Sequence, residues 1–465
     1  MNKKIILRIK QNYVLLLVFV FAVSCAPKEK PLLDLYGKTV EKQTVYYHQQ
    51  SPTDSLLHYS FYLPNSYNGK DRLPVLFFFD PHGDGSLPLK NYQSLANNYG
   101  YILVGSNNIK NGLSGSYAFS VFQQLLNETQ SRFLIDNKRI FTSGFSGGAK
   151  LAIIFAQQLP QIAGVIACGG SIPFNGDELT RFYYVGMVGL ADFNYLEAQQ
   201  SFSAFDQKGI DYTAITFAGK HEWPPVAEFN LAFSGLELFC MKTNRTPKNE
   251  KWMNTLWNQM QDSINDSEKK QNYIAELLTL RQTERWFNGI RNISDIKIQQ
   301  ATLEQNPQFI KQVTKRQALL QKEIALRSEF IKAIELRDLE WWRAEVTRFN
   351  ETTSNSDKEV ALIGRRLLNY LSMVSFMFTK NDLDDGKLDD AFKKIQIYAL
   401  VDATNPDVYL MYARYYLLSG DKKLMVENFK KALSLGFVSW EQYASDNSWK
   451  ALFAESEIQQ LKTKD

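Results

Sequence analysis

The sequence predicts two structural classes in one chain: an α/β domain with a mostly parallel central sheet, followed by an all-α region. Between residues 37 and 245, strand-like and helix-like segments alternate, as they do in a parallel sheet whose crossovers are helices. From about residue 246 glycine and proline become rare, and Lys, Glu, Gln, Leu and Ala dominate long amphipathic segments. A chain of 465 residues has room for two or three such domains.

The N-terminus has the parts of an export signal. Basic residues come first, a short apolar run follows at 13–23, and this run ends in Ala22-Val23-Ser24-Cys25. The pattern resembles a bacterial lipoprotein signal, so residues 1–24 are predicted as signal peptide and 25–36 as a tether. The resemblance implies acylation of Cys25 and a lipid anchor in the cell envelope, periplasmic or surface-exposed. Ala22 and Ser24 also suit ordinary signal peptidase, so simple secretion stays open.

Charge and cysteine content exclude two classes of protein. The formal net charge is +4, and the four basic residues before position 11 supply all of it. The remainder is neutral, so no nucleic-acid partner is predicted. After Cys25 only Cys168 and Cys240 remain, which is too few for a disulfide framework in a chain this long. Cys168 ends an apolar strand and is expected in the core, and a disulfide between the two is not indicated.

Eight strands and five helices are predicted in the first domain. Alternating or continuously apolar segments place the strands at 44–47, 57–63, 74–79, 101–106, 139–142, 163–168, 182–189 and 212–217. Helical spacing of apolar residues places the helices at 89–99, 117–136, 149–158, 195–208 and 226–240.

The chain is organised around Gly144-Phe145-Ser146-Gly147-Gly148, a G-x-S-x-G sequence. A predicted strand precedes it and a predicted helix follows it, which is the pattern of a nucleophile elbow. Small residues relieve crowding at such a sharp turn, and the free N–H groups of the helix N-terminus favour negative charge beside the serine. We therefore predict Ser146 as a nucleophile.

A serine hydroxyl needs a base to take its proton. The four histidines are His48, His58, His82 and His221, and only His221 follows Ser146. It lies in the loop after the last predicted strand, from which the imidazole can return to the elbow. His48 and His58 lie in or beside the opening strands, and His82 lies in the loop after the third strand. We therefore predict His221 as the base.

The base in turn needs a carboxylate that fixes its tautomer and orientation. Asp192 follows the seventh predicted strand, so it lies at a strand end and between Ser146 and His221 in the chain. Its alternative role is to cap the helix that follows. Glu197 and Asp177 are weaker substitutes, because one falls inside that helix and the other precedes the strand.

The order Ser146, Asp192, His221 is that of α/β-hydrolases. With the elbow, the loops at 82–85 (His-Gly-Asp-Gly) and 219–224 (Gly-Lys-His-Glu-Trp-Pro) make residues 37–245 resemble an α/β-hydrolase esterase of the polyhydroxybutyrate depolymerase and feruloyl esterase type. The resemblance implies an oxyanion hole built from the N–H of Gly147 and one from Gly83 or Asp84. Asp84 stands where many relatives have glycine or cysteine.

The expected substrate is an ester, with no cofactor and no metal. No His/Asp/Glu cluster has metal-ligand spacing in the sequence, and no phosphate loop or dinucleotide fingerprint occurs. Only residues 169–181 separate the sixth and seventh predicted strands, which leaves no room for a large lid, so a bulky or polymeric ester is favoured. Candidate lining residues are Phe174, Phe193, Tyr195 and Trp223, although an aromatic residue of this kind is more often part of the core.

The second half is predicted as two helical parts, 246–385 and 386–465. The first contains helices at 249–265, 268–287, 307–336, 338–349 and 357–379, and the second begins with one at 387–401. Residues 407–435 resemble one tetratricopeptide unit through the spacing of Tyr409, Tyr412, Ala413, Tyr416, Gly420, Phe429 and Ala432. This resemblance implies a groove for a protein or peptide partner. A generic helical bundle is the alternative.

These features together predict a serine esterase with a Ser-His-Asp triad, anchored in the cell envelope. Two alternatives remain from the residues alone. One is a binding lipoprotein that acts through its helical repeats and no longer catalyses turnover. The other is a serine peptidase, which uses the same triad.

Overall fold

The computed structural model describes residues 32–172, 181–437, 440, 443 and 447–462. The lipidation candidate Cys25 and two residues weighed above, Phe174 and Asp177, lie outside this part of the chain. Eight strands form one sheet: β1 Val45–Gln50, β2 His58–Tyr62, β3 Leu73–Phe79, β4 Ile102–Ser106, β5 Ile135–Phe145, β6 Ile162–Cys168, β7 Tyr183–Gly189 and β8 Tyr212–Phe217.

The strand order across the sheet is β1-β2-β4-β3-β5-β6-β7-β8. The pairs β1–β2 and β2–β4 are antiparallel, and every later pair is parallel. Five helices accompany the strands: α1 Ser86–Tyr99, α2 Gly115–Arg132, α3 Gly147–Gln158, α4 Tyr195–Lys208 and α5 Val226–Lys242. The predicted fold class is confirmed: a mostly parallel, α/β-hydrolase-like sheet comes first and a long all-helical region follows it.

Helices cover both faces of the sheet, which explains why β3 is apolar throughout. Side chains of a strand alternate between faces, so Phe77 and Phe78 enter different cores. Phe77 packs on Phe122 of α2, with 5.3 Å between ring centroids. Phe78 packs on Tyr92 of α1 at 5.9 Å, on the opposite face. Cys168 and Cys240 are buried free thiols, and both lie in the core that contains Phe78.

Several predicted helix ends differ from the observed ones by up to five residues, and two of these differences have a clear cause. The helix predicted at 117–136 ends at Arg132, because Ile135 pairs with Leu73 and the following polar residues belong to an extended β5. The segment predicted as one helix at 268–287 is broken: Gln271 has φ of +53°, and the Asn272 side chain accepts the N–H of Ala275 as a new N-cap.

The second half of the chain is helical in the part that the structure describes. Its helices are α6 Glu250–Lys269, α7 Tyr273–Phe287, α8 Ser294–Glu304, α9 Pro307–Leu336, α10 Leu339–Thr353, α11 Lys358–Asp384, α12 Leu388–Val401, α13 Pro406–Ser419, α14 Lys422–Ser434, α15 Lys450–Ala454 and α16 Ser456–Lys462. The sequence analysis missed α8. None of the described helices combines the length and the apolar character needed for a bilayer crossing.

The helical region packs against the sheet domain. Trp286 of α7 is buried, and its indole Nε1 donates a hydrogen bond of 2.7 Å to Thr213 Oγ1 in β8. Further along, α13 and α14 form a helix pair with Ala413, Phe429 and Ala432 in its core. Gly420, with φ of +84°, ends α13. The tetratricopeptide assignment stays a prediction, since a helix pair is common to many bundles.

Candidate active site

Ser146 lies on a strained turn between β5 and α3. Its backbone has φ of 55° and ψ of −117°, a conformation that costs energy for any residue with a Cβ. Gly144 and Gly148 have no room for larger side chains, because a Cβ on Gly144 would meet the Gly148 carbonyl and one on Gly148 would meet the Phe79 carbonyl. This close packing holds the serine at the end of β5, and α3 starts directly behind it.

The structure brings together the three residues predicted as nucleophile, base and acid. His221 Nε2 lies 2.9 Å from Ser146 Oγ. His221 Nδ1 lies 2.9 Å and 3.0 Å from the two carboxylate oxygens of Asp192. A carboxylate can only accept, so Nδ1 carries the proton in this arrangement and Nε2 is left to accept the serine proton.

Strand topology explains how residues far apart in sequence meet. Ser146 follows β5, Asp192 follows β7 and His221 follows β8. The strands from β3 to β8 are parallel, so their carboxyl ends share one edge of the sheet, where α/β proteins bind their ligands. The two outer loops are also bonded to each other, since Ala191 N–H donates to the Gly219 carbonyl at 2.9 Å.

The predicted acid, Asp192, is buried, and the predicted base, His221, is partly exposed. The Asp192 side chain is 0% exposed and that of His221 is 19% exposed. Asp192 Oδ1 also accepts the N–H of Asn194 at 2.8 Å, so the carboxylate is held from two sides. Rings of Phe145 and Phe193 flank the imidazole, with centroids 4.5 Å and 4.1 Å away. The imidazole can therefore reach Ser146 while its orientation stays restricted.

Gly169 is a site residue that the sequence analysis missed. It has φ of +59°, and a Cβ there would lie 3.1 Å from Asp192 Oδ2 and 3.3 Å from His221 Cε1. Its carbonyl accepts the side-chain amide of Asn194 at 2.7 Å. The pair Gly169-Gly170 directly after β6 was the available indication, because glycine after a strand often marks a close approach of backbone to another group.

A buried acid joins the loop after β3 to the loop after β8. Asp80 is 1% exposed, and its carboxylate accepts Trp223 Nε1 at 2.9 Å and the N–H of His82 at 2.8 Å. Burial raises the pKa of the Asp80 carboxyl, and these two hydrogen bonds oppose that rise. Trp223 was predicted as a candidate lining residue. In the structure its hydrogen bond to Asp80 also fixes the loop after β8 that carries His221, which we call the histidine loop.

The predicted oxyanion donors differ in their availability. Gly147 is the first residue of α3, where helix N–H groups have no intrahelical acceptor. The N–H of Gly83 instead donates to the Asp80 carbonyl at 3.0 Å, so the turn already uses it. The Asp84 carboxylate accepts the N–H and hydroxyl of Ser86 and so faces α1. Of the two residues predicted in this loop, Asp84 is therefore the one whose N–H stays a candidate for the predicted second donor.

The remaining candidates lie elsewhere. His48 and His58 stack on each other in the antiparallel strands β1 and β2, 5.0 Å apart. His82 is exposed in the loop after β3. Glu197 accepts the N–H of Ser171 at 2.9 Å and is not bonded to the imidazole. Among the described residues, no group of three or more His, Cys, Asp or Glu side chains is arranged to hold a metal.

Solved structures similar to this chain include three hydrolases. S-formylglutathione hydrolase from Staphylococcus aureus aligns with 42% of this chain and 99% of its own, at 15% identity and a TM-score of 0.33. A ferulic acid esterase aligns with 41% of this chain and 95% of its own, at 17% identity and a TM-score of 0.32. The feruloyl esterase module from Clostridium thermocellum aligns with 46% of this chain and 90% of its own, at 9% identity and a TM-score of 0.33. No protein-family model and no curated protein sequence matches the chain. The similarity therefore concerns the fold, and the chemistry of the site rests on its own geometry.

Proposed function

We propose that this protein is a serine hydrolase that cleaves carboxylic esters through an acyl-enzyme. The observation that carries the proposal is the unbroken series of hydrogen-bond distances from Ser146 Oγ through His221 to Asp192, 2.9 Å at each step. Such a series is what an activated serine requires: a base within reach of the hydroxyl and a third group that orients the base. The strained turn at Ser146 supports the same function.

In the first half-reaction Ser146 Oγ attacks the ester carbonyl, and His221 Nε2 takes the hydroxyl proton. The carbonyl electrons move to the oxygen, which then faces the N–H of Gly147 and the second predicted donor, Asp84. Asp192 stabilises the imidazolium that forms. When the tetrahedral species collapses, the C–O bond to the alcohol breaks, and His221 returns its proton to the leaving alkoxide.

In the second half-reaction water replaces the alcohol. His221 Nε2 takes a proton from the water as its oxygen attacks the acyl carbon, and the same donors hold the oxyanion. The bond to Ser146 Oγ then breaks, the imidazolium gives the serine its proton, and the carboxylic acid leaves. The preference for an ester over an amide follows from the resemblance of the three motifs to esterases.

Labelling with a fluorophosphonate probe tests the proposal. We expect the wild type to label on one serine, and Ser146→Ala to lose both the label and the hydrolysis of p-nitrophenyl acetate. His58→Ala is the matched control, since it removes a histidine of the antiparallel strand β2 that is not part of the proposed triad, and it should label at the wild-type rate. A wild type that never labels would overturn the proposal. Faster cleavage of a peptide p-nitroanilide than of esters would make the protein a peptidase.

We further propose that Cys25 carries acyl chains that anchor the protein in the bacterial cell envelope. The support is the sequence alone, where Cys25 follows the apolar run of the predicted signal after a single residue, Ser24. Cys25→Ala is expected to move the protein from the membrane pellet to the soluble fraction with unchanged specific activity. Retention of the variant in the pellet after a salt wash would refute the acyl anchor.

A further inference from the structure

The helical region bonds directly to the backbone that carries Asp192. We call residues 190–193, between β7 and α4, the acid loop. Two arginines and one asparagine from α9 and α11 each donate a hydrogen bond to a carbonyl oxygen of this loop. The bonds are Arg366 Nη1 to Leu190 at 2.9 Å, Asn369 Nδ2 to Ala191 at 2.8 Å, and Arg327 Nη1 to Phe193 at 2.7 Å. Three of the four carbonyls of the loop are thus held by side chains more than 130 residues away in sequence.

The acid loop is bonded on its other side to the loop that carries the base. The N–H of Leu190 donates to the Phe217 carbonyl at 2.8 Å, and the N–H of Ala191 donates to the Gly219 carbonyl at 2.9 Å. The loop therefore lies between the histidine loop and the helical region. A shift of α9 or α11 would move Asp192 relative to His221.

A buried carboxylate fixes the two arginines. Glu323 of α9 has a side chain that is 0% exposed. Its Oε1 accepts Arg327 Nη2 at 2.6 Å, and its Oε2 accepts Arg366 Nε and Nη2 at 2.9 Å and 2.7 Å. Since a guanidinium is a rigid planar fork, a bond to one side of it sets the direction of its remaining N–H groups. In both arginines that direction is towards the acid loop.

Aromatic rings pack against the same guanidinium groups. The Arg366 group lies 4.5 Å from the ring centroid of Tyr195, the first residue of α4, three residues after Asp192. The Arg327 group lies 4.6 Å from the ring of Tyr370 on α11. Arg316 of α9 also bonds the Tyr195 hydroxyl. The contact between the helical region and the acid loop is therefore packed as well as hydrogen-bonded.

We infer that Arg327, Arg366 and Asn369 are positioning residues for Asp192, so that the helical region completes the active site of the sheet domain. The inference rests on the proposed hydrolase function and deepens it. The three residues touch neither the serine nor the imidazole, and they act by holding the backbone from which the carboxylate projects. The helical region thus has a role in catalysis that is independent of any partner it binds.

Asn369→Leu in the full chain is the direct test, because leucine keeps the volume and removes the donor. A misplacement of about 1 Å in an active site costs about 10²-fold in rate. Since one of the three hydrogen bonds to the acid loop is lost, we expect kcat for p-nitrophenyl acetate to fall on the order of tenfold, with KM unchanged. Arg365→Leu is the matched control, because Arg365 is exposed on the same helix, and it should keep the wild-type kcat. Asn369→Asp, which replaces the donor with an acceptor, should match or exceed the loss.

A double-mutant cycle separates positioning from general weakening of the fold. If Asn369 acts through Asp192, its replacement should matter little once Asp192→Asn has already disabled the acid. We expect the tenfold effect of Asn369→Leu to shrink below about twofold in that background, measured by the rate of fluorophosphonate labelling. The unfolding temperature of each variant, followed in parallel, should change by the same amount in both backgrounds.

The outcomes distinguish this inference from the function on which it rests. A wild type that does not label overturns the hydrolase proposal and the positioning role together. If the wild type labels, and Asn369→Leu and Asn369→Asp both label as fast as the wild type, the positioning role alone is overturned. The positioning role would also be overturned if Asn369→Leu lowered the labelling rate by the same factor in the Asp192 and Asp192→Asn backgrounds, because the effect would then not depend on the acid.

Discussion

Replacing Gly169 with alanine tests how closely the proposed triad is packed. The new Cβ would lie 2.8 Å from Phe145 Cε2 and 3.1 Å from Asp192 Oδ2, where ordinary contact begins at 3.4 Å. Relief of these contacts requires shifts of about 0.3 to 0.6 Å. If about 1 Å of misplacement costs about 10²-fold, shifts of this size lower kcat roughly 4-fold to 16-fold.

The same substitution also strains the backbone, and a second glycine isolates that effect. Gly209 ends α4 with φ of +63°, close to the +59° of Gly169, and a Cβ there would have no atom within 4 Å. Both alanines should cost roughly 1–2 kcal/mol of stability from the left-handed conformation. Only Gly169→Ala should lower kcat for p-nitrophenyl acetate, and Gly209→Ala should stay within about twofold of the wild type.

Thermal unfolding and steady-state kinetics of the two variants give the answer. The expected result is a similar loss of unfolding temperature with a selective loss of kcat in Gly169→Ala. Equal kcat in the two variants would show that the packing around Gly169 does not hold the acid and base in place. Our account of the site geometry would then be wrong at this point.

Three further substitutions test other parts of the site. His221→Ala should lower kcat on the order of 10⁶-fold with little change in KM, because the imidazole acts mainly in the transition state. Trp223→Phe removes a hydrogen-bond donor from the buried Asp80 carboxylate, and this loss should raise the pKa of Asp80 further. While Asp80 is ionised, the variant should lose about 1–3 kcal/mol of stability. Protonation removes the need for the donor, so in urea unfolding the loss should be full at neutral pH and shrink as the pH falls through the raised pKa. Glu323→Gln removes the charge that compensates the buried Arg366 and the half-buried Arg327, and it should cost about 3–5 kcal/mol of stability, whereas Glu329→Gln, exposed on the same helix, should cost under about 0.5 kcal/mol.

Local patterns in the sequence were enough to predict the sheet domain and the three candidate catalytic residues. Strand and helix periodicity depends on neighbouring residues, so α4 and β8 begin and end where the sequence predicts. The prediction of Ser146, Asp192 and His221 required only the order of the strands along the chain and the residue that follows each of them. Their roles in catalysis stay predictions, and the structure adds the distances between them.

Other boundaries depended on pairing between distant segments. The end of α2 was predicted four residues late, at Asp136 instead of Arg132, because only the pairing of Ile135 with Leu73 draws this stretch into β5. The second oxyanion donor was left open between Gly83 and Asp84 for a similar reason. Which backbone N–H is free depends on the turn that the loop adopts, and the turn at Asp80 uses that of Gly83.

Motifs in the sequence identify the side chains proposed for the chemistry, because nucleophile, base and acid each follow a strand with a recognisable pattern. The contacts that hold these side chains become visible in the folded chain alone. Gly169 approaches Asp192 from the end of another strand, and Asn369 reaches the acid loop across 178 residues of chain. The Gly169-Gly170 pair indicates a close approach after β6 but not which residue is approached, and Asn369 has no local pattern that points to the acid loop. Such contacts form only when folding brings the two segments within hydrogen-bond or van der Waals distance.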